Sequence, residues 1–321
     1  MELNKIYNQD CLIGSNDIES GSVDLILTDP PYGTISDAPK NWTIGNNKSH
    51  KWDKELEPCD IYRIANRILR KNGKMILFSQ EPYTTELIKS AIPNVPFNYR
   101  AIWQKNDFAN ALLCNKAMVG MYEDVLIFSK THDCEGLHPL RDYALKIKKF
   151  SKYNRTRFYK ALGNGGSQHF LESNKESSQF TLCTEETYNQ LIEVFSIDEM
   201  QGFMTYEELR IIDKKYDATF NLWQGNKYKS NILEYRKDYT GYHPTQKPVL
   251  LLEDLIKTFS NEGDLVVDLT VGSGSTAVGC INTNRNYIVY EKGKACFDVA
   301  VKRIAEHKSQ VQFDFKEGLN D

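Results

Sequence analysis

Two stretches in which strand-like apolar runs alternate with helical segments limit the folds open to this chain of 321 residues. Both show apolar spacing of about two residues for strands and 3.6 for helices. Strands are predicted at 23–28, 74–78, 265–268 and 287–290, and helices at 54–71 and 249–260. This alternation predicts an α/β fold with a mostly parallel sheet.

Residues 98–104 and 122–128 predict two further strands that are close in sequence, which favours an antiparallel hairpin at one side of the sheet. The chain between them and Pro248 differs, because it is rich in Lys, Asn, Ser, Tyr and Gln and lacks long apolar runs. The sequence therefore predicts one α/β domain, made of 1–133 and 240–321, interrupted by a mainly helical insert, 134–239. The polar residues 308–321 are expected to be peripheral or frayed.

Charge and composition exclude several classes of protein. The formal net charge is −3, so binding to nucleic acid would need a local concentration of basic residues. The seven cysteines form no CxxC pair and the six histidines no HxxxH spacing, so no metal site is expected. There is no apolar run of about 20 residues and no targeting signature, so no membrane is expected as a partner. These features and unpaired thiols favour a cytoplasmic location.

The sharpest local signal is Asp29-Pro30-Pro31-Tyr32, directly after the strand 23–28. Ligands of open α/β sheets bind beyond the carboxyl ends of the strands, and the two prolines stiffen this turn. A carboxylate, a fixed carbonyl and an aromatic ring together suit a planar base that bears an amino group. The alternative is an ordinary turn with a surface tyrosine.

A second signal, the glycine loop 268–276, follows another strand and opens a helix. Gly272 and Gly274 would let the backbone approach a ligand, and the helix start and Thr276 would donate hydrogen bonds to it. Glu291 closes the next strand, where an acid can hold ribose hydroxyls. Because position 277 is Ala and no Gly-Lys-Ser/Thr occurs, the loop is neither a complete dinucleotide fingerprint nor a phosphate-binding P-loop.

A third segment, His243-Pro244-Thr245-Gln246-Lys247-Pro248, precedes the helix 249–260. Thr245 and Lys247 could bind a small carboxylate. Taken alone, these residues are better explained by an ordinary loop that ends in a helix-initiating proline.

Taken together, these segments resemble the amino-group DNA methyltransferases, in the β arrangement of their motifs. In this arrangement Asp-Pro-Pro-Tyr comes first, then a target-recognition insert, His-Pro-Thr-Gln-Lys-Pro and the glycine loop. The resemblance covers roughly 5–130 and 240–307. It implies a Rossmann-like methyltransferase fold that uses S-adenosylmethionine, and a bacterial or phage setting. A homodimer and a cognate restriction endonuclease are left open.

The resemblance also assigns site residues. Asp29, Pro30, Pro31 and Tyr32 would act on the target base, and the segments Trp103-Gln104-Lys105-Asn106 and Tyr122-Glu123-Asp124 would shape its pocket. The cofactor would be bound by Asp10, Cys11, Asp29, Thr245, Lys247, Asp268, Gly272, Ser273, Gly274, Thr276 and Glu291. The chain departs from the family in carrying Leu269-Thr270 for Pro-Phe and Ser275 for Thr, so the cofactor lacks an expected aromatic wall.

The Asp-Pro-Pro-Tyr form favours N6 of adenine in double-stranded DNA. The alternatives are N4 of cytosine, amino groups of RNA or protein, a DNA-binding protein without catalysis, and a nicotinamide oxidoreductase. A base in a duplex would have to flip out to reach the site.

Two segments supply the basic charge that DNA binding requires. The loop after Tyr32 contains Trp42, Lys48 and Lys51, and its alternative is an ordinary surface loop. The stretch 141–160 holds eight basic residues opposed only by Asp142. They are Arg141, Lys146, Lys148, Lys149, Lys152, Arg155, Arg157 and Lys160. A weaker expectation is a helix-turn-helix around 163–166 that places Gln168 on a reading helix.

Overall fold

The computed structural model describes residues 1–32, 56–109, 114–116, 118–133, 138–163, 168–172, 180–238 and 246–317, without the side chains of 108–109 and 311–317. Its strands are β1 (Lys5–Tyr7), β2 (Val23–Thr28), β3 (Leu69–Ser79), β4 (Phe97–Ala109), β5 (Gly120–Ser129), β6 (Ile232–Glu234), β7 (Leu265–Asp268) and β8 (Asn286–Tyr290). Its helices are α1 (Cys11–Gly14), α2 (Pro58–Ile68), α3 (Tyr83–Lys89), α4 (Leu140–Phe150), α5 (Arg155–Leu162), α6 (Gln168–Leu171), α7 (Glu185–Phe195), α8 (Tyr206–Lys214), α9 (Val249–Phe259), α10 (Ser275–Asn282) and α11 (Lys294–Glu317).

All the described strands join one sheet in the order β1-β8-β7-β2-β3-β5-β4-β6. Neighbouring strands are parallel except that β5 runs antiparallel to both β3 and β4. The predicted α/β fold with a mostly parallel sheet and an antiparallel hairpin is confirmed.

The strand order changes direction between β2 and β7. From β2 the chain continues through α2 to β3 on one side, and from β7 it continues through α10 to β8 on the other. Such a switch point leaves a crevice at the carboxyl ends of the two strands, where ligands of open α/β sheets bind. The sequence motifs that follow β2 and β7 therefore meet at this crevice.

Apolar side chains cover both faces of the sheet, as expected for strands that are buried on both sides. On one face, Ile26, Met75 and Leu126 pack with α2 and α3. On the other, Leu25 and Val266 pack with α9 and α10. Helix α2 begins with Pro58, which suits the first helical position. These two cores hold the crevice in place.

The insert is mainly helical and has its own core. Tyr143, Ile147, Phe158, Tyr188 and Leu209, from four helices, are buried together. Thr184 caps α7 by accepting a hydrogen bond from the Thr187 amide, as the sequence indicates.

The insert is anchored at the amino-terminal edge of the sheet, opposite the crevice. The start of β3 provides the anchor: Lys71 donates to the Phe180 carbonyl at 3.2 Å and Asn72 to the Tyr216 carbonyl at 2.8 Å. Beside them, Arg70 donates to the Asp217 carbonyl at 3.1 Å.

Two expectations need correction. Strand β6 lies inside the predicted insert, 134–239, yet pairs with β4 in the sheet. The polar C-terminal residues are not frayed from 308 onward, because α11 continues to Glu317. The predicted helix-turn-helix stays a prediction, because most of its turn and the residues after 172 lie outside the described residues.

No helix among the described residues is both long and apolar enough to cross a membrane.

Candidate active site

The Asp-Pro-Pro-Tyr turn, residues 29–32, lies directly beyond β2 at the switch point. The Tyr32 hydroxyl donates a hydrogen bond to Asp29 Oδ1 at 2.5 Å. The Tyr32 ring also packs against Tyr83, with 5.9 Å between ring centroids. The Tyr83 hydroxyl in turn donates to the Leu56 carbonyl at 2.6 Å. One oxygen of the Asp29 carboxylate is thus held by a tyrosine that is itself braced.

Lys247 holds the other oxygen of Asp29. The Lys247 ammonium also lies 3.2 Å from Glu123 Oε2, and Lys105 donates to Glu123 Oε1 at 2.5 Å. The four side chains form a row of alternating charge, Lys105–Glu123–Lys247–Asp29, which we call the charge row. The structure places the Lys247 ammonium between two carboxylates beside the turn. Its expected role in binding the cofactor stays a prediction.

Burial and neighbouring charges set the protonation of these groups. Burial raises the pKa of Asp29, and the Lys247 ammonium opposes this rise. For Lys247 burial acts to lower the pKa, but Asp29 and Glu123 outweigh it and keep the pKa raised. Burial and the adjacent Asp29 carboxylate raise the pKa of Tyr32 well above its usual value. Tyr32 and Lys247 therefore both remain hydrogen-bond donors to Asp29.

The glycine loop, 268–276, has the backbone shape that its sequence predicts. Gly272 has a φ of 55° and Gly274 a φ of 87°, in the left-handed region that favours glycine. A Cβ on Gly272 would meet nothing within 4 Å, whereas one on Gly274 would lie 3.3 Å from Ala300 on α11. Gly272 leaves open space above the loop, and Gly274 lets α11 pack beneath it.

Two further acids line the same edge of the sheet. Glu291, just after β8, accepts hydrogen bonds from the Gly272 amide at 3.1 Å and the Gly293 amide at 2.6 Å. Asp10, after β1, accepts from the Leu12 amide at 3.0 Å and pairs with Lys292 at 2.7 Å. Its neighbour Cys11 is buried. These acids surround the open side of the glycine loop, an arrangement that suits a ligand with hydroxyl groups and positive charge.

Two side chains of the glycine loop serve the protein rather than facing a ligand. Thr276, expected to donate to a ligand carboxylate, donates to the buried Asp268 at 2.6 Å. The Ser273 hydroxyl lies 3.4 Å from Gln246 Oε1 and 3.2 Å from Arg303. Arg303 also donates to the Ser275 hydroxyl at 2.9 Å. This arginine of α11 therefore holds two serines of the glycine loop by hydrogen bonds.

Asp268 should make the stability of the fold depend on pH. Burial raises its pKa to about 6, against opposing hydrogen bonds from Thr276 and Thr270. A carboxyl whose pKa is raised on folding stabilises the fold in its protonated form, and that contribution is lost as pH rises through about 6. Asp268→Asn removes this effect. The unmodified protein should lose stability between pH 4 and 7 as Asp268 ionises, and the variant should not. The free energy of unfolding of the variant minus that of the unmodified protein should therefore increase over this range.

Urea denaturation at several pH values measures this difference. Asp17→Asn, at an exposed carboxylate, is the control and should show no such trend. A stability difference for Asp268→Asn that stays constant across the range would contradict the assignment.

Much of the predicted basic stretch is exposed, with one exception. Lys146, Lys149, Lys152, Arg155, Arg157 and Lys160 are exposed and Lys148 is half-buried. Arg141 is 2% exposed, and two of its nitrogens each donate to the buried Asp133 at 2.6 Å. Arg141 thus forms a buried ion pair with the residue just before the insert and is not a DNA contact. Gln168 is half-buried. Thr245, Trp42, Lys48 and Lys51 lie outside the described residues.

Sequence reasoning missed part of the site. Lys105 and Glu123 were assigned only to the shape of the base pocket, although two acids within the apolar strand β5 signal a buried ionic network. Thr270 was noted only as a departure, yet its hydroxyl donates to the Asp29 carbonyl at 3.0 Å. Among the described residues, no group of three His, Cys, Asp or Glu side chains could hold a metal ion.

Comparisons with known proteins agree on the class of protein. A family model described as DNA methylase, covering N6 and N4 methyltransferases, matches residues 23–302. The type II methyltransferase M.HpaI of Haemophilus parainfluenzae is 24% identical over 296 residues, which cover 89% of this chain and 69% of that protein. The DNA adenine methyltransferase YhdJ of Escherichia coli is 22% identical over 316 residues, covering 96% of this chain and 85% of YhdJ.

Solved structures show the same fold. The structure of the M1.HpyAVI–SAM complex aligns with a TM-score of 0.52 at 18% identity, covering 94% of this chain and 98% of that one. Because the family model spans most of the chain, the family is established and not only the fold. The chain belongs to the DNA methylase family of N6 and N4 amino methyltransferases, with S-adenosylmethionine as its methyl donor.

Proposed function

We propose that this chain methylates N6 of an adenine that is flipped out of double-stranded DNA. The observation that carries the proposal is the Asp29 carboxylate, held by Tyr32 and Lys247 at the switch point. An aspartate at this position favours adenine, and the relative YhdJ, similar over nearly the whole chain, is named a DNA adenine methyltransferase.

The chemistry requires help for a weak nucleophile, because the lone pair of the adenine amine is delocalised into the ring. Asp29 and the Pro30 carbonyl would accept the two N–H groups and favour a more tetrahedral nitrogen. The lone pair would then point at the methyl group. Tyr32 would stack on the ring. Position and electrostatics carry the catalysis, without a covalent enzyme intermediate.

The methyl donor would lie along the row of acids at the edge of the sheet. Glu291 would accept hydrogen bonds from ribose hydroxyls of the donor, and Asp10 would accept one from its adenine amine. Support comes from Glu291 lying beside the Gly272 amide and from the open space at Gly272. When bound, S-adenosylmethionine supplies an electrophilic methyl group on a positively charged sulfur. The nearby carboxylates of Asp10, Asp29 and Glu291 suit that charge.

Nucleoside mass spectrometry after incubation with labelled S-adenosylmethionine and unmethylated genomic DNA tests the proposal. We expect labelled N6-methyladenine. Labelled N4-methylcytosine would retain the mechanism and overturn the choice of base, since both amines suit the same pocket. If the DNA stays unlabelled and a parallel incubation with RNA or protein gives a labelled product, the DNA substrate would be overturned.

We also propose that the exposed and half-buried basic residues of α4 and α5 contact DNA phosphates. Replacing Lys148, Lys149 and Arg157 with glutamine should weaken duplex binding and leave S-adenosylmethionine binding unchanged. The affinity for DNA falls as salt rises, and each lost phosphate contact should make the slope of log affinity against log salt shallower by roughly 1. The triple variant should therefore have a slope shallower by roughly 3.

Titration of a labelled duplex at several salt concentrations measures this slope. The control replaces three exposed lysines elsewhere, Lys5, Lys294 and Lys302, with glutamine and changes the net charge equally. Equal slopes for the two triple variants would contradict a specific basic surface.

The remaining assignments extend the same proposal. We place the boundaries of the helical insert near 134 and 217, because residues 219–234 pack with α9 and the sheet. For example, Asn221 donates to the Ser260 carbonyl at 3.1 Å.

The oligomeric state, for which a homodimer is one candidate, is tested by light scattering. A cognate restriction endonuclease is suggested by the type II name of M.HpaI, and a cytoplasmic location by the DNA substrate.

A further inference from the structure

Thr270 stands between the two halves of the site. It follows Asp268 in the glycine loop, and its side chain reaches the Asp-Pro-Pro-Tyr turn across the switch point. The Thr270 hydroxyl donates to the Asp29 carbonyl oxygen at 3.0 Å and lies 2.9 Å from the hydroxyl of Thr28. These bonds join residues 241 and 242 positions apart in the sequence.

The Thr270 hydroxyl carries one hydrogen, which it donates to the Asp29 carbonyl, so in its contact with Thr28 it can only accept. The Thr28 hydroxyl has two acceptors within reach, Thr270 and the Asp268 carboxyl group. Thr28 is 1% exposed and is held in β2 between β3 and β7. The Thr270 side chain therefore links a rigid strand to the main chain of Asp29.

The backbone of Thr270 is fixed from the other side. Its amide donates to Asp268 Oδ1 at 3.0 Å, and Thr276 donates to Asp268 Oδ2 at 2.6 Å. The carbonyl that Thr270 holds belongs to the peptide between Asp29 and Pro30. Fixing that peptide sets both the direction of the Asp29 side chain and the plane from which Pro30 continues.

We infer that Thr270 is a positioning residue, which locks the main chain of Asp29 to the glycine loop and so sets the distance between target amine and methyl group. Methyl transfer is sensitive to this distance, because misplacement by about 1 Å can cost about a hundredfold in rate. The inference rests on the proposed function in one respect, that Asp29 holds the target amine.

Thr270→Val tests the inference, because it removes the hydroxyl. It keeps the branched shape of the side chain and the hydrogen bond from the backbone amide of residue 270 to Asp268. Under single-turnover conditions we expect the rate of methyl transfer to fall about 10- to 100-fold. The dissociation constants for S-adenosylmethionine and duplex DNA should stay within about threefold, a change of under about 0.7 kcal/mol. Thr270→Ser, which restores the hydroxyl, should recover most of the rate.

A control is Thr283→Val, at a more deeply buried hydroxyl that donates to the Gly279 carbonyl at 2.7 Å at the far end of α10. It should lower thermal stability at least as much as Thr270→Val and leave the rate unchanged. Thr28→Val should reduce the rate as well, and combining it with Thr270→Val should cost less than the two effects together, because both act on one chain of hydrogen bonds.

Three results would overturn the inference. They are a Thr270→Val rate equal to that of the unmodified enzyme, a loss confined to cofactor affinity, and no recovery with serine. A failure of the proposed function is distinguishable, since the unmodified enzyme itself would then give no methyladenine.

Discussion

Asp29→Asn is expected to lower the rate of methyl transfer by about 10²- to 10³-fold, the usual effect of removing one group that stabilises a transition state. The variant keeps the shape of the side chain but replaces an acceptor oxygen with an NH₂ group. That group can no longer accept from the target amine, and it faces either Tyr32 or Lys247, which are both donors. Binding of S-adenosylmethionine should change little, because Glu291, Asp10 and the glycine loop are intact.

Single-turnover transfer of labelled methyl groups to duplex DNA gives the rate, and calorimetry gives the cofactor affinity. Asp17→Asn, which removes an exposed carboxylate, should behave like the unmodified enzyme. A rate within about threefold of that of the unmodified enzyme corresponds to a change in activation free energy of less than about 0.7 kcal/mol. Such a result would contradict a catalytic role for Asp29.

Lys247→Met is expected to lower both activity and stability. Lys247 is 7% exposed and lies between the carboxylates of Asp29 and Glu123. Without it these two acids face each other without a shared cation, and breaking a buried ion pair in this way typically costs about 3–5 kcal/mol of stability. The pKa of Asp29 should rise further, so that activity is lost at a higher pH on the acid side.

Chemical denaturation and the pH dependence of the transfer rate measure the two effects. Lys302→Met, which breaks an exposed pair with Glu306 at 3.8 Å, is the control and should cost less than about 1 kcal/mol. Adding Asp29→Asn to Lys247→Met should recover part of the lost stability, because Asp29 is the acid left without a cation whereas Glu123 keeps Lys105. Equal losses for Lys247→Met and Lys302→Met would contradict the charge row.

The sheet was predictable because each of its main strands is an apolar run bounded by turn residues. A motif that begins with an acid stands at the end of two strands: Asp29 directly follows β2, and Asp268 is the last residue of β7. The two halves of the site could therefore be located. Strand β6 was missed because it has only three residues within a polar segment. Helix α11 was not predicted, and its last turns were expected to be frayed because polar residues give little apolar spacing to read.

The partners of the site residues could not be predicted, since they are distant in sequence. Asp29 and Lys247 are 218 positions apart, and only the strand order brings them together. The same limit explains Arg141. Its position among basic residues suggested DNA contact, but pattern alone does not show that Asp133 would bury it.

The most direct test of the account is a crystal structure of the enzyme with a duplex that contains its recognition sequence and a non-reactive S-adenosylmethionine analogue. The account predicts a flipped adenine whose amino nitrogen lies within about 2.6–3.2 Å of the Asp29 carboxylate and the Pro30 carbonyl. The Tyr32 ring should stack on it, and the sulfur side of the analogue should point at the amine. A flipped cytosine, or an adenine whose amine contacts neither acceptor, would contradict it.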